Sequence, residues 1–260
     1  MSIAERLSQV AAKLEASEGV KEALSNTDAF LVFGPITYTP DIQMYERDPY
    51  RETFSQLAQL PGFRSGKLGF VTEMVGSGEA GTAPFWGKLM KACGFAETIN
   101  AGVSVVYEPA SASIPTLTLG LYRDGFVERI WGARGNLKLV GETGKPVLMQ
   151  WEFTGIDFER VDASLLSGVS YSAVIPPVMM GVNYTIDGYQ IIGDKLEIDL
   201  GSQISLVKDF NADGGHRIAM YAGRKPKMTV DPNAVTVATK DFMGMWQAGS
   251  TVTNSCTIGS

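Results

Sequence analysis

The residue sets that could support catalysis or ligand binding each lack a member that the chemistry requires. Residues 76–81, GSGEAG, form a glycine-rich run whose backbone N–H groups could meet a phosphate. The run has no Lys-Ser/Thr pair and no regular βαβ alternation around it, so it indicates a flexible loop. Residues 209–214 begin like a calcium-binding loop, but Met220 stands at the twelfth position, where such a loop needs Glu. We therefore predict a turn there.

General acid–base and metal chemistry have few candidate groups. His216 is the single histidine of the 260-residue chain, and CxxC and HExxH patterns are absent. Two carboxylate pairs can be picked out, Asp231 with Asp241 and Glu73 with Glu79. Such pairs are common by chance, so they favour a structural role. We therefore predict that the protein is not an enzyme and that it uses no cofactor or metal.

Composition restricts the class of protein further. The chain has 22 basic and 28 acidic side chains and a net charge of −6, opposite to the usual sign in proteins that grip DNA or anionic membranes. It has no run of about 18 apolar residues, so no membrane-spanning segment or anchor is predicted. Residues 1–6 carry charges where a signal peptide would be apolar, so Cys93 and Cys256 are expected to be reduced thiols.

Hydrophobic periodicity predicts three helices. Residues 3–24 place apolar side chains near a spacing of 3.6, which predicts one frayed helix or, because Gly19 interrupts the pattern, two short helices. This helical arm either covers its own fold or docks on a neighbouring subunit. Residues 82–94 begin with Thr82 as a candidate N-cap and end at Gly94, with Cys93 on the apolar face as a buried hydrophobe. A third helix is predicted over residues 231–249.

Most of the remaining chain is predicted to form β-strands. The Asp124-Gly125 pair is a strong turn signal, and it predicts a hairpin between residues 116–122 and 126–131. Residues 141–146 predict the turn of a second hairpin. The fold class predicted is mainly β, a β-sandwich or barrel with flanking α-helices. Other strands are predicted near residues 30–33, 36–45, 67–75, 103–108, 136–140, 147–154, 178–186, 189–199, 217–222 and 226–230.

The element order strand, long loop, strand, helix occurs twice along the chain. Tyr38 matches Tyr184, and Pro84 in the helix predicted at 82–94 matches Pro232 in the helix predicted at 231–249. This order favours an internally duplicated β unit, with chance similarity among hairpins as the alternative. The predicted segments are a helical arm at residues 1–28, a first β unit at 29–172 and a second, incomplete β unit at 173–260.

The order of several short motifs resembles the major tail tube protein of long-tailed phages, the siphophages. The resemblance covers most of residues 30–250. The motifs are GKLMKACGF at 87–95, YEP at 107–109, LTLGLY at 117–122 before RDG at 123–125, GARG at 132–135, GKP at 144–146, WEFTG at 151–155, IPPV at 175–178, GRKP at 223–226 and DP at 231–232.

The resemblance implies a fold, a function and a set of partners. Subunits of this family are β-sandwich-like barrels with a helix at one side, and their strands join into rings around a lumen. Stacked rings form the tube through which the genome passes during ejection. The implied partners are further copies in rings of three or six, the tape measure, tail terminator and distal tail proteins, and genomic DNA that passes without specific binding. The implied location is the virion tail, after synthesis in the host cytoplasm.

A tube that conducts DNA should present acidic or neutral side chains to its lumen, because lysine and arginine would hold the phosphate backbone. Residues 37–46, 116–129 and 197–206 alternate polar and apolar side chains, so we predict that they face the lumen on one side. Ordinary exterior positions are the alternative. The candidate lumen-facing residues are Glu46, Glu128, Glu197 and Asp199.

Two loops, residues 48–65 and 76–81, are predicted to bridge neighbouring rings, because long or glycine-rich loops in a compact β domain are usually functional. The alternative function is a free-standing β-rich binding module, such as a carbohydrate-binding sandwich, or a tail-tip adhesion or baseplate component. Tubes or rings in negative-stain micrographs would distinguish the tube protein from a module that stays monodisperse. The candidate bridging residues are Asp48, Tyr50, Arg51, Arg64, Gly76, Gly78 and Glu79.

Overall fold

The computed structural model describes residues 7–259, and strands account for 51% of the chain against 6% for helices. The prediction of a mainly β fold is therefore confirmed. The strands are β1 Gln9–Leu14, β2 Ala29–Phe30, β3 Phe33–Tyr45, β4 Leu60–Glu73, β5 Phe95–Asn100, β6 Ser104–Pro109, β7 Leu117–Arg123, β8 Gly125–Glu142, β9 Leu148–Gly155, β10 Asp157–Ala163, β11 Asn183–Ile186, β12 Tyr189–Gln190, β13 Gly193–Asp199, β14 Ser202–Lys208, β15 His216–Arg224, β16 Lys227–Pro232 and β17 Asn254–Thr257. The helices are α1 Gly87–Ala92, α2 Phe242–Gln247 and a short 3-10 turn at Asn26–Asp28.

The 18-residue strand β8 belongs to two sheets at once. Its first half pairs with β7 and β10, which gives a narrow sheet of order β2-β1-β7-β8-β10. Its second half pairs with β9 and β13, which gives a wide sheet of order β16-β13-β8-β9-β4-β3. Gly132 lies between the two halves with a φ of +57°, and a Cβ there would meet the side chain of Ile156. All these pairings are antiparallel, and the sheets curl together into a half-barrel.

The main core fills the inside of this half-barrel. Strand β9 shows why these sequences form strands, since Met149, Trp151 and Phe153 are buried while Gln150 and Glu152 between them are exposed. The period of two gives the wide sheet one apolar and one polar face. Helix α1 closes the core with buried residues such as Leu89, so the sheet is covered on its inner side.

The helix predicted over residues 3–24 is wrong. Residues 9–14 form β1, which lies between β2 and β7 with Val10 opposite Phe30 on one side and Leu121 on the other. Val10, Ala11 and Ala12 are all fully buried, because both faces of this central strand are covered. A short apolar run that is buried on both faces carries no period of two, and its flanking apolar residues imitate a helical spacing. Residues 1–6 lie outside the described part.

The other two predicted helices are present in shortened form. The helix predicted at 82–94 is α1, with six residues, and Gly94 ends it at a φ of +86°. The helix predicted at 231–249 is wrong at its start, because Lys227–Pro232 is a strand and helix α2 begins only after Asp241 caps the Gly244 N–H at 2.7 Å. Within residues 7–259, no helix is long and apolar enough to cross a bilayer.

The second half of the chain does not repeat the pairing of the first. The predicted duplication equates β3 and β4 with β11 and β15, but β3 pairs with β4 while β11 and β15 lie in separate sheets. Strand β13 instead joins the first half by pairing with β8. A second, smaller core lies beside it, formed by Val147, Met179, Tyr184, Ile186 and Leu196. The resemblance between the halves is therefore one of local sequence, not of strand topology.

Candidate assembly surfaces

Strands β3 and β4 form a long two-stranded ribbon at one edge of the wide sheet. Pairing runs from Phe33 opposite Val71 to Tyr45 opposite Leu60. Beyond Thr39, the side chains of β3 are exposed on both faces, so this end of the ribbon protrudes from the body. Among the described strands, β3 pairs only with β4, and β16 at the far edge pairs only with β13. The wide sheet therefore has two unpaired edges within residues 7–259.

The tip of the ribbon is residues 46–59. Its backbone is supported locally, since Arg47 Nε donates to the Ala58 carbonyl at 3.1 Å and Arg51 donates to the Ser55 carbonyl. Tyr50 and Phe54 are fully exposed. The tip is thus held by its own polar groups, while its two aromatic side chains contact almost nothing in the chain. Asp48, Tyr50 and Arg51 of the predicted bridging loop all lie here.

The second predicted loop, residues 76–81, lies at the opposite end of β4. Its bonds are internal: Ser77 Oγ donates to the Glu79 carbonyl at 2.8 Å, and the Glu79 carboxylate accepts from Thr82 Oγ1 at 3.2 Å. Gly78 has a φ of +86°, and a Cβ there would come within 2.9 Å of Val174, whereas a Cβ at Gly76 would meet only the Gly78 backbone nitrogen at 3.9 Å. The two predicted loops therefore mark the two ends of one strand.

Arg64 does not belong to a loop. It lies within β4, where its guanidinium bonds to Asp157 at 2.9 Å and its backbone N–H donates to the Gly214 carbonyl at 2.9 Å. Its carbonyl contacts Nδ1 of the buried His216 at 2.8 Å. The placement of Arg64 in a bridging loop is wrong, because β4 starts at Leu60, five residues earlier than the loop was predicted to end.

Glu197 and Asp199 lie together on the polar face of the wide sheet. Glu197 pairs with Lys138 at 2.8 Å, and Asp199 accepts from the Asn136 amide at 2.8 Å. The bond from Asn136, with the Gly201 N–H and the nearby Lys138, holds the pKa of Asp199 below its usual value. This face also lines a groove of about 550 Å³.

Lysines share this polar face with the carboxylates. Lys67 pairs with Glu152 at 3.4 Å across β4 and β9, and Lys227 stands opposite Asp199 in the register. The expected separation of acidic from basic residues is therefore not found here. Instead, Lys67 and Lys138 each have a carboxylate partner on the same face.

Glu128 faces the protein interior, so the prediction that it faces open water is wrong for the single chain. Its side chain is 2% exposed and pairs with Arg123 at 3.3 Å and with Arg160, whose Nε donates at 3.0 Å. The Arg160 guanidinium also lies over the Phe126 ring at 4.7 Å. A carboxylate buried in this way needs such partners, because an unpaired charge would be costly.

The strand predicted around Glu128 was misinterpreted for a physical reason. Residues 117–122 of β7 are all buried. The polar residues that suggested a wet face, Thr116 and Thr118, donate to the carboxylate of Glu15 at 2.6 and 2.9 Å. The alternation of polar and apolar residues there reflects an internal polar cluster, not a channel surface.

Glu46, the remaining lumen candidate, is exposed but lies at the ribbon tip, where it accepts from Gln59 at 3.1 Å.

No family model matches the chain, and a search of curated proteins finds no match.

The segment that begins like a calcium-binding loop forms a turn, and the two cysteines differ in burial. Residues 209–214 form the turn between β14 and β15, as predicted, and Asp209 bonds to the N–H of Asn211 at 2.9 Å. Cys93 is fully buried, as predicted, and burial raises the pKa of its thiol far above the ordinary value, whereas Cys256 is exposed. Across residues 7–259, no three His, Cys, Asp or Glu side chains are grouped to hold a metal ion.

Sequence reasoning missed the exposed apolar residues of the ribbon. Ile42, Met44 and Tyr45 are each about half exposed or more on β3, near its free edge. The available signal was the length of the β-branched and aromatic segment at 36–45, which is long for a strand of a small sheet. That length indicated a protruding ribbon, but not which of its sides would lack a partner.

Proposed function

We propose that the protein is a structural subunit that assembles with copies of itself into rings, and that stacked rings form a phage tail tube that conducts DNA. The observation that carries this proposal is the pair of unpaired edges, β3 and β16, on a six-stranded sheet with one buried and one polar face. The order of tail-tube motifs in the sequence supports the same function.

An unpaired edge exposes a row of N–H and C=O groups to pairing with other chains. Strand β3 is 13 residues long, and Ile42 and Met44 are exposed on it. Pairing β16 of one copy, which is six residues long, with part of β3 of the next would satisfy that part of both edges and extend the sheet from subunit to subunit. Closing the sheet into a ring is the general way in which β-barrels remove exposed edges. The number of subunits, three or six in the family that the sequence resembles, follows from the curvature of the assembled sheet.

In such a ring, the polar face of the wide sheet is the surface proposed to line the channel. Within the ion pairs Lys67–Glu152 and Lys138–Glu197, the positive and negative charges on this face cancel each other. A surface of this kind offers DNA few uncompensated positive charges, so it does not retain the phosphate backbone. The proposed partners are accordingly other copies, the tape measure, terminator and distal tail proteins, and DNA in transit.

The test is assembly itself, followed by negative-stain microscopy and sedimentation over a wide range of concentration. Ile42→Lys should block ring formation, because it places a charge beside the proposed edge contact. Ile99→Lys is the matched control: Ile99 is 53% exposed and Ile42 is 45% exposed, but Ile99 lies on the separate β5–β6 hairpin. The control should assemble like the unaltered chain. A chain that stays monomeric at every concentration, also with tail partners present, would refute the proposed function.

A further inference from the structure

A cavity of about 340 Å³ lies at the base of the ribbon. It opens beside Phe33, the first residue of β3, and Leu31 and Phe33 are more than one-third exposed at its rim. Glu73 is the one charged residue among the described residues that line it. Its lining combines apolar side chains with the hydroxyl groups of Thr27, Ser170, Tyr171 and Ser172; the apolar residues include Phe30, Leu31, Phe33, Phe85 and Val174.

The exposed aromatic residues of the ribbon lie at the other end. Phe33 and Glu73 mark the base, whereas Tyr45 and Leu60 are the last paired residues before the tip that carries Phe54. Twelve residue steps of extended β3 span roughly 40 Å at about 3.4 Å each. Because the extended ribbon separates the two features, the tip of a chain cannot reach its own cavity.

We propose that the Phe54 side chain of one copy inserts into this cavity of a second copy, with Tyr50 packing at the rim. This inference rests on the proposed function and names the residues that join one ring to the next. An aromatic ring from a second copy would place apolar surface against Phe30 and Phe85, which already stack on each other at 5.4 Å. The burial of exposed apolar surface on both sides would favour the contact.

The tip carries two arginines, Arg47 and Arg51, beside Glu46, Asp48 and Glu52, so a pairing with the cavity would be made by one arginine and not by the net charge of the tip. Glu73 has no salt-bridge partner among residues 7–259, so its carboxylate is available to a second chain. Arg47 and Arg51 flank the aromatic side chains of the tip, and each uses only part of its five N–H donors on backbone carbonyls. An arginine of the tip can therefore meet Glu73 when Phe54 enters the cavity.

The direction of the contact also fits a stack. The tip that inserts and the cavity that receives it lie at opposite ends of one ribbon, so the contact is heterologous and leaves a free tip and a free cavity after each addition. Such a contact repeats along the ribbon direction, and its step would be close to the length of the ribbon. Rings joined by it form an open-ended tube, whereas edge pairing alone forms single rings.

Phe54→Ala tests the aromatic insertion, with Phe210→Ala as the matched control. Phe210 is 98% exposed in the β14–β15 turn and Phe54 is 109% exposed, so neither change should affect folding. Phe54→Ala should leave rings intact while raising the concentration needed for tubes at least about tenfold, a change expected from loss of one buried aromatic group. Phe210→Ala should assemble normally. Tubes that form equally well with Phe54→Ala would overturn the inference and leave the proposed function standing.

A disulfide test places the two ends together directly. Tyr50→Cys and Leu31→Cys are combined with Cys256→Ser, which retains Phe54 and leaves only the buried Cys93 as a native thiol. Mild oxidation of assembled protein should give a ladder of cross-linked chains on non-reducing gels, and either cysteine alone should not. Tubes without this ladder would contradict the contact. If the unaltered chain forms neither rings nor tubes, the proposed function is refuted instead.

Discussion

Replacing Glu15 by Gln tests how the segment after β1 is fastened to the two sheets. One carboxylate oxygen accepts from Thr116 Oγ1 at 2.6 Å and from the Gly19 N–H at 2.8 Å, and the other accepts from Thr118 Oγ1 at 2.9 Å and from the Gly132 N–H at 2.7 Å. Each oxygen therefore meets one backbone N–H, which can only donate. Whichever way a Gln amide turns, its NH₂ group faces one of these two donors.

We expect Glu15→Gln to lower the free energy of unfolding by about 2 kcal/mol. An unpaired buried donor costs about 1–3 kcal/mol, and a hydrogen bond to a charged acceptor contributes about 1.5–3 kcal/mol. Glu15 is half-buried, so water relieves part of the loss and the middle of the range of about 1–3 kcal/mol for one unpaired donor applies. The sequence periodicity places Glu15 on the polar side of a helix, where a substitution usually changes the free energy of unfolding by less than about 0.5 kcal/mol.

Urea unfolding of the monomeric protein, followed by tryptophan fluorescence, measures this change. Glu152→Gln is the matched control, because Glu152 pairs with Lys67 at the surface, where ion pairs contribute little. The control should leave the unfolding midpoint near that of the unaltered chain. If Glu15→Gln shifts the midpoint no more than Glu152→Gln does, the role of Glu15 as an acceptor of four hydrogen bonds is wrong.

Three further predictions concern the core, a titrating group and the proposed channel. Leu89→Ala should reduce the free energy of unfolding by about 2–5 kcal/mol, because Leu89 is fully buried where α1 closes the core; a loss below about 1 kcal/mol in urea unfolding would contradict that packing. Burial opposes ionisation of Glu97, but hydrogen bonds from Lys91 and Tyr107 lower its pKa overall. The stabilisation by Glu97 is therefore fully present above pH 4.5 and is lost as pH falls through the lowered pKa, so the stability gap to Glu97→Gln should shrink in acid; a constant gap would count against it. Glu197→Lys should slow DNA ejection from normally assembled tails, and the difference from unaltered tails should be larger at low salt. If variant and unaltered tails eject DNA at the same rate at both salt levels, Glu197 does not face the channel.

The sequence predicted most strands correctly where local signals are strong. The Asp124-Gly125 turn joins β7 to β8, and Gly125 has the positive φ of +104° that the turn requires. The N-terminal helix failed because β1 is a central strand with both faces buried, Val10 and Ala12 in the main core and Ala11 in a second cluster with Tyr122 and Val127. No local pattern reveals these partners distant in sequence. The sharing of β8 between two sheets is likewise a property of long-range pairing.

The candidate surfaces could be predicted from sequence only where the length of a loop and its place between strands are sufficient to indicate exposure. The loop containing Tyr50 was found from its length, and it does lie at an exposed tip. The side on which a carboxylate lies depends on strand phase and on partners distant in sequence. Glu128 lies inside because Arg160, 32 residues later, reaches it from β10, while Glu197 lies on the polar face beside Lys138. The cavity at the base of the ribbon combines four separate segments, so no single motif marks it.

The sharing of β8 has a mechanical consequence. Because one backbone passes through both sheets, β8 must separate from β7 and β10 to release the narrow sheet and from β9 and β13 to release the wide sheet, so the two sheets share one strand. The chain should therefore unfold in one cooperative transition, and the amides around the junction of the two halves should exchange with solvent only on global opening. In a subunit held at β3 on one side and β16 on the other, tension between neighbours passes through the paired strands of the wide sheet, and the second half of β8 lies in the middle of that path. The narrow sheet then acts as an anchor that keeps this central strand from sliding out of register.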